Sequence, residues 1–244
     1  MRAVILLWMA RSADDYLELM RKRLATLYRC NDRGRILAIN YIAGGAVPRF
    51  HLMRTAHGNI ARYRSDVPDD LVAKLERICE REPVADPPTR QPALINEFVA
   101  ALGVRRANEG EWSGPAYMID HDVTPLVPPI AINDGHAHLL RGQLEEWLPD
   151  VEHCQPLMAV IVDGSAVSVC ASVRISAAIH CAGVETLPEY RRRGYAVSAV
   201  AGWARAVRAL GAMPFYSTSW DNVASQAVAA RLGASLAGVD FHVG

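Results

Sequence analysis

The residues best placed to do chemistry lie in one stretch, Val184-Glu185-Thr186-Leu187-Pro188-Glu189-Tyr190-Arg191-Arg192-Arg193-Gly194-Tyr195-Ala196. Its first part reads as a β-strand that runs out at Pro188. Its last part opens a long helix, and a basic, glycine-containing turn joins the two. Such a junction leaves backbone N–H groups unpaired at the positive end of a helix, a ready site for phosphate oxygens. The arginines of the turn add charge-assisted contacts. Arg-Arg-Arg-Gly alone would read as a solvated basic turn. At a helix start, however, a basic cluster opposes the helix dipole, and the arrangement makes sense when an anion binds there. The stretch lacks both the Lys-Ser/Thr ending of an ATP-type phosphate loop and the three glycines of a dinucleotide loop.

The elements that must position this junction follow from periodicity. Asn133 to Leu148 reads as a helix or helix pair, Leu157 to Val162 as an apolar strand, Asp163-Gly164 as a hairpin turn, and Ser165 to Arg174 as a strand with Val167, Val169, Ala171 and Val173 alternating. Ala178 to Leu187 is the strand that feeds the turn, and Arg191 to Leu210 the helix after it. Pro214 to Trp220 is a further strand, Asn222 to Leu232 a helix stopped by Gly233, and Leu236 to Val243 the last strand. Upstream, the periodicity gives helices at Asp14 to Leu27, at Asp69 to Glu80 (capped by Asp66 or Asp69) and at Asn96 to Leu102. Strands are expected at Arg35 to Ile42 and Phe50 to Arg54, and Glu82 to Pro92 is a proline-rich loop. A second proline break, Thr124 to Pro129, divides the chain into 1–124 and 125–244.

The turn and the helix-strand order together resemble the GCN5-related N-acetyltransferase (GNAT) superfamily. Its acyl-CoA loop, Gln/Arg-x-x-Gly-x-Gly/Ala, is filled here by Arg191, Gly194 and Ala196. Its second signature, Asn-x-x-Ala/Ser at a helix start, is matched by Asn222 and Ser225. The resemblance covers roughly the second half of the chain. It implies an α/β fold with a mixed α+β sheet: a GNAT core at 125–244, with strand-like Trp112 to Ile119 supplying its first strand, behind an N-terminal α/β accessory region. A degenerate second GNAT-like half is one identity for that region.

The resemblance also implies acetyl-CoA as co-substrate, an amine acceptor and direct transfer in a ternary complex. The pyrophosphate would lie on the main chain of Arg191, Arg192, Arg193, Gly194, Tyr195 and Ala196. The pantetheine amides would pair with the strand carrying Val184 and Thr186, with Asn222 contacting the pantetheine and Ser225 near a phosphate or within the first helical turn. The family's general-acid tyrosine, seven positions after the signature Asn, falls on Ala229, which leaves Tyr216 as the nearest candidate acid. The base position eleven residues before the loop falls on His180. Glu185 is the second candidate base, on the opposite strand face by alternation, where a salt bridge to a loop arginine would be its structural alternative.

Composition narrows the remaining possibilities. The 244 residues carry 26 Lys+Arg against 26 Asp+Glu, so no global field draws the chain to nucleic acid or to a membrane. The five cysteines are scattered, odd in number and without a Cys-x-x-Cys pair, as expected of free thiols in a reducing cytoplasm. Met1 to Ala10 is a short apolar run followed by Arg11, Asp14 and Asp15 without a cleavage site, and reads as a buried helical turn rather than a signal peptide. His136-Ala137-His138 lacks a third ligand and His153-Cys154 lacks a partner, so no metal is expected. The acceptor, a small molecule or a peptide amine, and a monomeric or homodimeric state complete the expectation. Two other readings compete with it: a non-catalytic acyl-CoA-binding module, which Ala229 favours, and a basic-loop interaction protein.

Overall fold

The structure, a computed structural model, describes residues 12–104 and 110–244. The opening run Met1 to Ala10, expected as a helical turn, lies outside the described residues. In chain order the elements are α1 (Ala13–Leu27), β1 (Tyr28–Cys30), β2 (Ile36–Ile39), β3 (Phe50–Thr55), β4 (Gly58–Tyr63), α2 (Asp69–Arg81), α3 (Ile95–Leu102), β5 (Glu111–Met118) and β6 (Ile130–Ala131). After two 3₁₀ stretches (Asp134–Leu140 and Glu145–Asp150) come β7 (Leu157–Val162), β8 (Ser165–Ile175), β9 (Ile179–Thr186), a 3₁₀ turn (Pro188–Tyr190), α4 (Tyr195–Ala209), β10 (Met213–Ser217), α5 (Val223–Arg231) and β11 (Ser235–Val243).

The chain forms two compact units, but not along a single cut. One takes the described residues up to Ala116 with Thr218–Asn222 and Leu236–Gly244; the other takes Tyr117–Ser217 with Val223–Ser235. The linear division at 124/125 assigns the last strand to the second half. Instead β11 pairs antiparallel with β3, from Val239↔Arg54 to Val243↔Phe50, and most of it belongs to the first unit.

In the first unit the strands run in the order β4-β3-β11-β5. Phe50, Leu52, Phe241 and Val243 meet the apolar sides of α2 and α3 through Leu75, Ile78, Phe98 and Leu102, and the Phe50 and Phe98 rings stack at 5.1 Å. α1 starts at a capping box in which the Ser12 hydroxyl accepts from the Asp15 N–H. α2 has no such cap: its N-cap is Pro68, because Asp66 is bound by Arg64 and Asp69 by Arg33 and Arg35. A buried ionic cluster links α1 to β11. Arg23 forks onto Asp240 at 2.9 and 2.6 Å, His51 Nε2 donates to the same carboxylate at 3.0 Å, and the Tyr28 hydroxyl donates to His51 Nδ1 at 2.6 Å. Burial opposes the charge of Asp240, but Arg23 and His51 more than offset it and hold this carboxyl well below its ordinary range.

In the second unit the order is β10-β9-β8-β7-β6, with β9 and β10 parallel and the other pairs antiparallel. The strand that opens the antiparallel run of this sheet is Ile130–Ala131, paired with β7 at Ile130↔Ala159, while the end of the expected Trp112 to Ile119 strand meets β10, where the Ile119 N–H donates to the Pro214 carbonyl at 3.1 Å. The expected Asn133 to Leu148 helix pair is two 3₁₀ stretches; Gly135, left-handed Gly142 and Pro149 interrupt longer helical runs. The Asp163-Gly164 hairpin forms, with both residues at positive φ. Along Ala166–Ser172 β8 is covered on both faces, so serines there are buried along with valines: Ser168 and Ser172 are both 0% exposed. α4 lays Ala199, Val200, Trp203, Ala204 and Val207 on the sheet, the i, i+1, i+4, i+5, i+8 stripe of an amphipathic helix. Its Gly202 admits Pro129, which would lie 2.3 Å from a Cβ there. Among the described residues no helix is long and apolar enough to cross a membrane.

Candidate active site

The parallel pairing of β9 and β10 is short. It runs through Met213↔Ile179, Pro214↔His180 and Phe215↔Cys181 and then stops, while β9 continues to Thr186. On its other edge β9 stays paired with β8 as far as Thr186↔Ser168. The backbone edge of Ala182–Thr186 that faces β10 is therefore left open, and all five residues are half-buried. The divergence begins where β8 carries a bulge, between Ser172 and Arg174, opposite Ala182 and Cys181.

β9 ends in the predicted turn, which is longer than expected because α4 starts at Tyr195 and not at Arg191. Pro188–Tyr190 forms a 3₁₀ turn, Arg192 takes φ 62°, and Gly194 caps the helix at φ 82°. A left-handed arginine is an uncommon conformation, and alternation of such residues curls successive N–H groups toward one point. Among the described residues, the backbone N–H groups of Arg192 to Val197 find no acceptor; the first that does is Ser198, on Gly194. Gly194 also lies under Leu126, whose Cδ1 would be 2.9 Å from a Cβ at that position. The arginine side chains differ. Arg191 Nε donates to the Thr186 carbonyl at 3.1 Å and ties the turn to the strand, Arg193 stacks on Tyr190 at 5.3 Å, and all three are exposed.

The two candidate bases sit on opposite faces of β9. His180 is 6% exposed, and its Nδ1 lies 2.8 Å from the Ser172 hydroxyl, which also accepts from Trp203 Nε1 on α4 at 2.9 Å. Burial pushes its pKa down and keeps the ring neutral in this network. Glu185 faces the 3₁₀ stretches. Its Oε2 accepts from Trp147 Nε1 at 2.6 Å, and among the described residues it forms no ion pair with a loop arginine. Glu146 lies beside it; the charge of Glu185, and a hydrogen bond to it, hold the Glu146 carboxyl above its ordinary value.

Tyr216 is the first β10 residue past the last paired position, 4% exposed, with its hydroxyl 2.5 Å from Ser225 Oγ on α5. Burial pushes its pKa up to about 12. Thr186 Oγ1 pairs with Ser168 at 2.7 Å. Val184, Thr186, the loop, Tyr216 and Ser225 thus all lie in the second unit. Asn222 falls in the Thr218–Asn222 segment of the first, its N–H on the Ser219 carbonyl at 3.2 Å. Ala229 is fully buried. Trp147, Ser172 and Trp203 were not legible as partners, since their contacts span 38, 8 and 31 residues of sequence and no spacing rule links them.

The FR47-like protein family model matches residues 161–241, the span that holds β8, β9, the loop, α4, β10 and α5. No curated protein matches the chain. Among solved structures it is similar to a putative GNAT-family acetyltransferase from Novosphingobium aromaticivorans (17% identity, 55% of this chain and 63% of that one, TM-score 0.46). It is also similar to a GNAT-family acetyltransferase from Colwellia psychrerythraea (15%, 62% of each chain, TM-score 0.45). A third is a GCN5-related N-acetyltransferase-like protein from Streptococcus suis (15%, 94% of this chain and 100% of that one, TM-score 0.45). The match thus spans less than two thirds of the length of the first two structures. Residues 161–241, a third of the chain, are thus similar to the FR47-like family.

Proposed function

We propose that the second unit binds acetyl-CoA and transfers its acetyl group to an amine by direct attack within a ternary complex. The observation that carries this reading is the open edge of β9 leading into a turn whose N–H groups, from Arg192 to Val197, have no acceptor among the described residues. A pyrophosphate fits that row of donors at the helix start, with Arg192 and Arg193 near its charge. A pantetheine arm carries two amides and adds to the edge of Ala182–Thr186 as a further strand would. The match of residues 161–241 to the FR47-like family model supports an acetyltransferase activity in general; the donor, the acceptor and the residue roles are our own reading.

In this reading Glu185 is the base. Its carboxylate takes a proton from the incoming ammonium, and the freed nitrogen lone pair bonds the thioester carbonyl carbon. Backbone N–H groups of β9 stabilise the oxyanion. The C–S bond then breaks, CoA leaves as thiolate, and the nitrogen's second proton passes to water to leave the neutral amide. A phenol at about 12 stays protonated in neutral water, so Tyr216 donates a hydrogen bond to the sulfur, with Ser225 as its partner, and solvent supplies the proton. His180 is in this reading a structural residue, packed between Ser172 and the α4 tryptophan. Loss of CoA thiol release with every amine in a broad panel, despite acetyl-CoA binding, would favour a sensing module instead; the fully buried Ala229, where the family's acid stands, supports that second reading. The test is a thiol-release assay with acetyl-CoA against pooled amines. Amine-dependent release is expected, and its absence with all amines would reject the catalytic reading.

A further inference from the structure

A side-chain contact of the second unit joins Trp147 to Glu185. The indole reaches the strand because Gly183 leaves room for it: a Cβ at Gly183 would lie 3.2 Å from Trp147 Cη2 and 2.4 Å from Val173 Cγ1. The turn beneath is fixed by the Trp147 N–H on the Leu144 carbonyl at 3.1 Å, with Leu144 itself 1% exposed. A bond of 2.6 Å from a rigid ring to a carboxylate sets both the rotamer of the acid and which oxygen is occupied. The same 3₁₀ stretch presents Glu146, the titratable group that meets Glu185. The register partner of Glu185 on β8 is uncharged Val169, and Gly183 carries no side chain. One short turn therefore brings both an N–H donor and a second carboxyl to Glu185.

We propose that Trp147 is a positioning residue for Glu185, an inference that rests on the acyl-transfer reading above: its indole N–H holds Oε2, so that Oε1 takes the proton of the incoming ammonium. The balance of the step is unchanged. Oε1 gains the ammonium proton, the N–C bond forms, the C–S bond breaks with its electron pair on sulfur, the second nitrogen proton passes to water to leave the neutral amide, and the carboxyl proton passes to solvent. Trp147 donates throughout and never transfers its own proton.

Two readouts test this. The first needs no acceptor: the indole ¹H–¹⁵N signal of Trp147, identified by its loss in Trp147→Phe, is followed from pH 8 to 4. It is expected to shift with an acid titration that disappears in Glu185→Gln; a signal insensitive to both would overturn the contact. The second is the pH profile of thiol release with acetyl-CoA and pooled spermidine, tyramine and lysine ethyl ester. Trp147→Phe is expected to lower kcat about tenfold with acetyl-CoA affinity kept, and to move the acid limb to higher pH. Glu146→Gln is expected to move that limb to lower pH, and Trp147→His, which keeps an N–H, to recover part of the rate. An unchanged limb and rate in Trp147→Phe, against an active wild type, would refute the positioning role alone. A wild type that releases no thiol while its indole still titrates would sink the acyl-transfer reading, and the positioning role with it.

Discussion

At the scale of single residues, groups that act separate from groups that hold. Glu185, half-buried at the open edge of β9, should lose about 10²-fold or more in thiol release as Glu185→Gln, with acetyl-CoA affinity unchanged, as expected of a general base. Steady-state rates alongside calorimetric titration check this; full activity in the variant would remove Glu185 from the mechanism. Tyr216→Phe should slow release about tenfold while leaving the melting temperature nearly unchanged, because the ring stays and only the bond to Ser225 is lost. His180→Ala should behave in the opposite way. It removes one of the two partners of a buried Ser172 hydroxyl, which costs about 1–3 kcal/mol of stability, so denaturant unfolding should report it more strongly than the pH profile.

At the scale of elements, the strand-turn-helix junction carries the donor site, and Gly194 is its tightest point. With φ 82° and Leu126 Cδ1 only 2.9 Å from where a Cβ would stand, Gly194→Ala meets both strain and a clash. A left-handed non-glycine residue costs about 1–2 kcal/mol, so acetyl-CoA affinity should fall about tenfold. Adding Leu126→Ala should restore part of it, since the φ cost stays; full restoration would show that the backbone conformation is irrelevant to binding. The second half of the chain is largely legible in sequence because alternation, Gly-containing stops and the basic turn are local signals: β7, β8, β9 and α5 fall within a residue of where periodicity puts them, while α4 starts at Tyr195 and not Arg191 and β10 ends at Ser217 and not Trp220. Non-local facts are not legible. Gly58–Tyr63 alternates too weakly, with Asn59 and Arg62 in it, to read as a strand until it pairs with β3. Propensity starts α4 at Arg191 because arginine is a good helix former, and the left-handed Arg192 and Gly194 override it. The Glu185–Trp147 bond depends on a turn that sequence reads only as helical, and the early end of the β9–β10 pairing has no signal in side-chain identity.

At the scale of the whole molecule, two features set its response to acid. His242 is pushed down to about 4, first by burial and then by the nearby His51, while burial also lowers His180. A histidine whose folded pKa lies below its unfolded value near ~6.5 favours the folded state while neutral. That contribution is complete above about pH 6.5 and is lost as the pH falls through the folded value. Melting temperatures should therefore be flat from pH 8 to 7 and fall from about 6.5 toward 4, less so in His242→Gln; a curve that rises on acidification would contradict this. Below about pH 4 the Arg23–Asp240 pair dominates. Asp240→Asn removes the charge that balances a buried guanidinium and should cost about 3–5 kcal/mol at neutral pH. The central claim, that the open β9 edge and the turn after it hold an acyl-CoA, is tested most directly by backbone amide NMR during an acetyl-CoA titration. The largest shifts are expected at Arg192 to Ala196 and at Ala182 to Thr186, saturating at one ligand per chain. Saturable shifts centred elsewhere, or none at millimolar acetyl-CoA, would contradict the account.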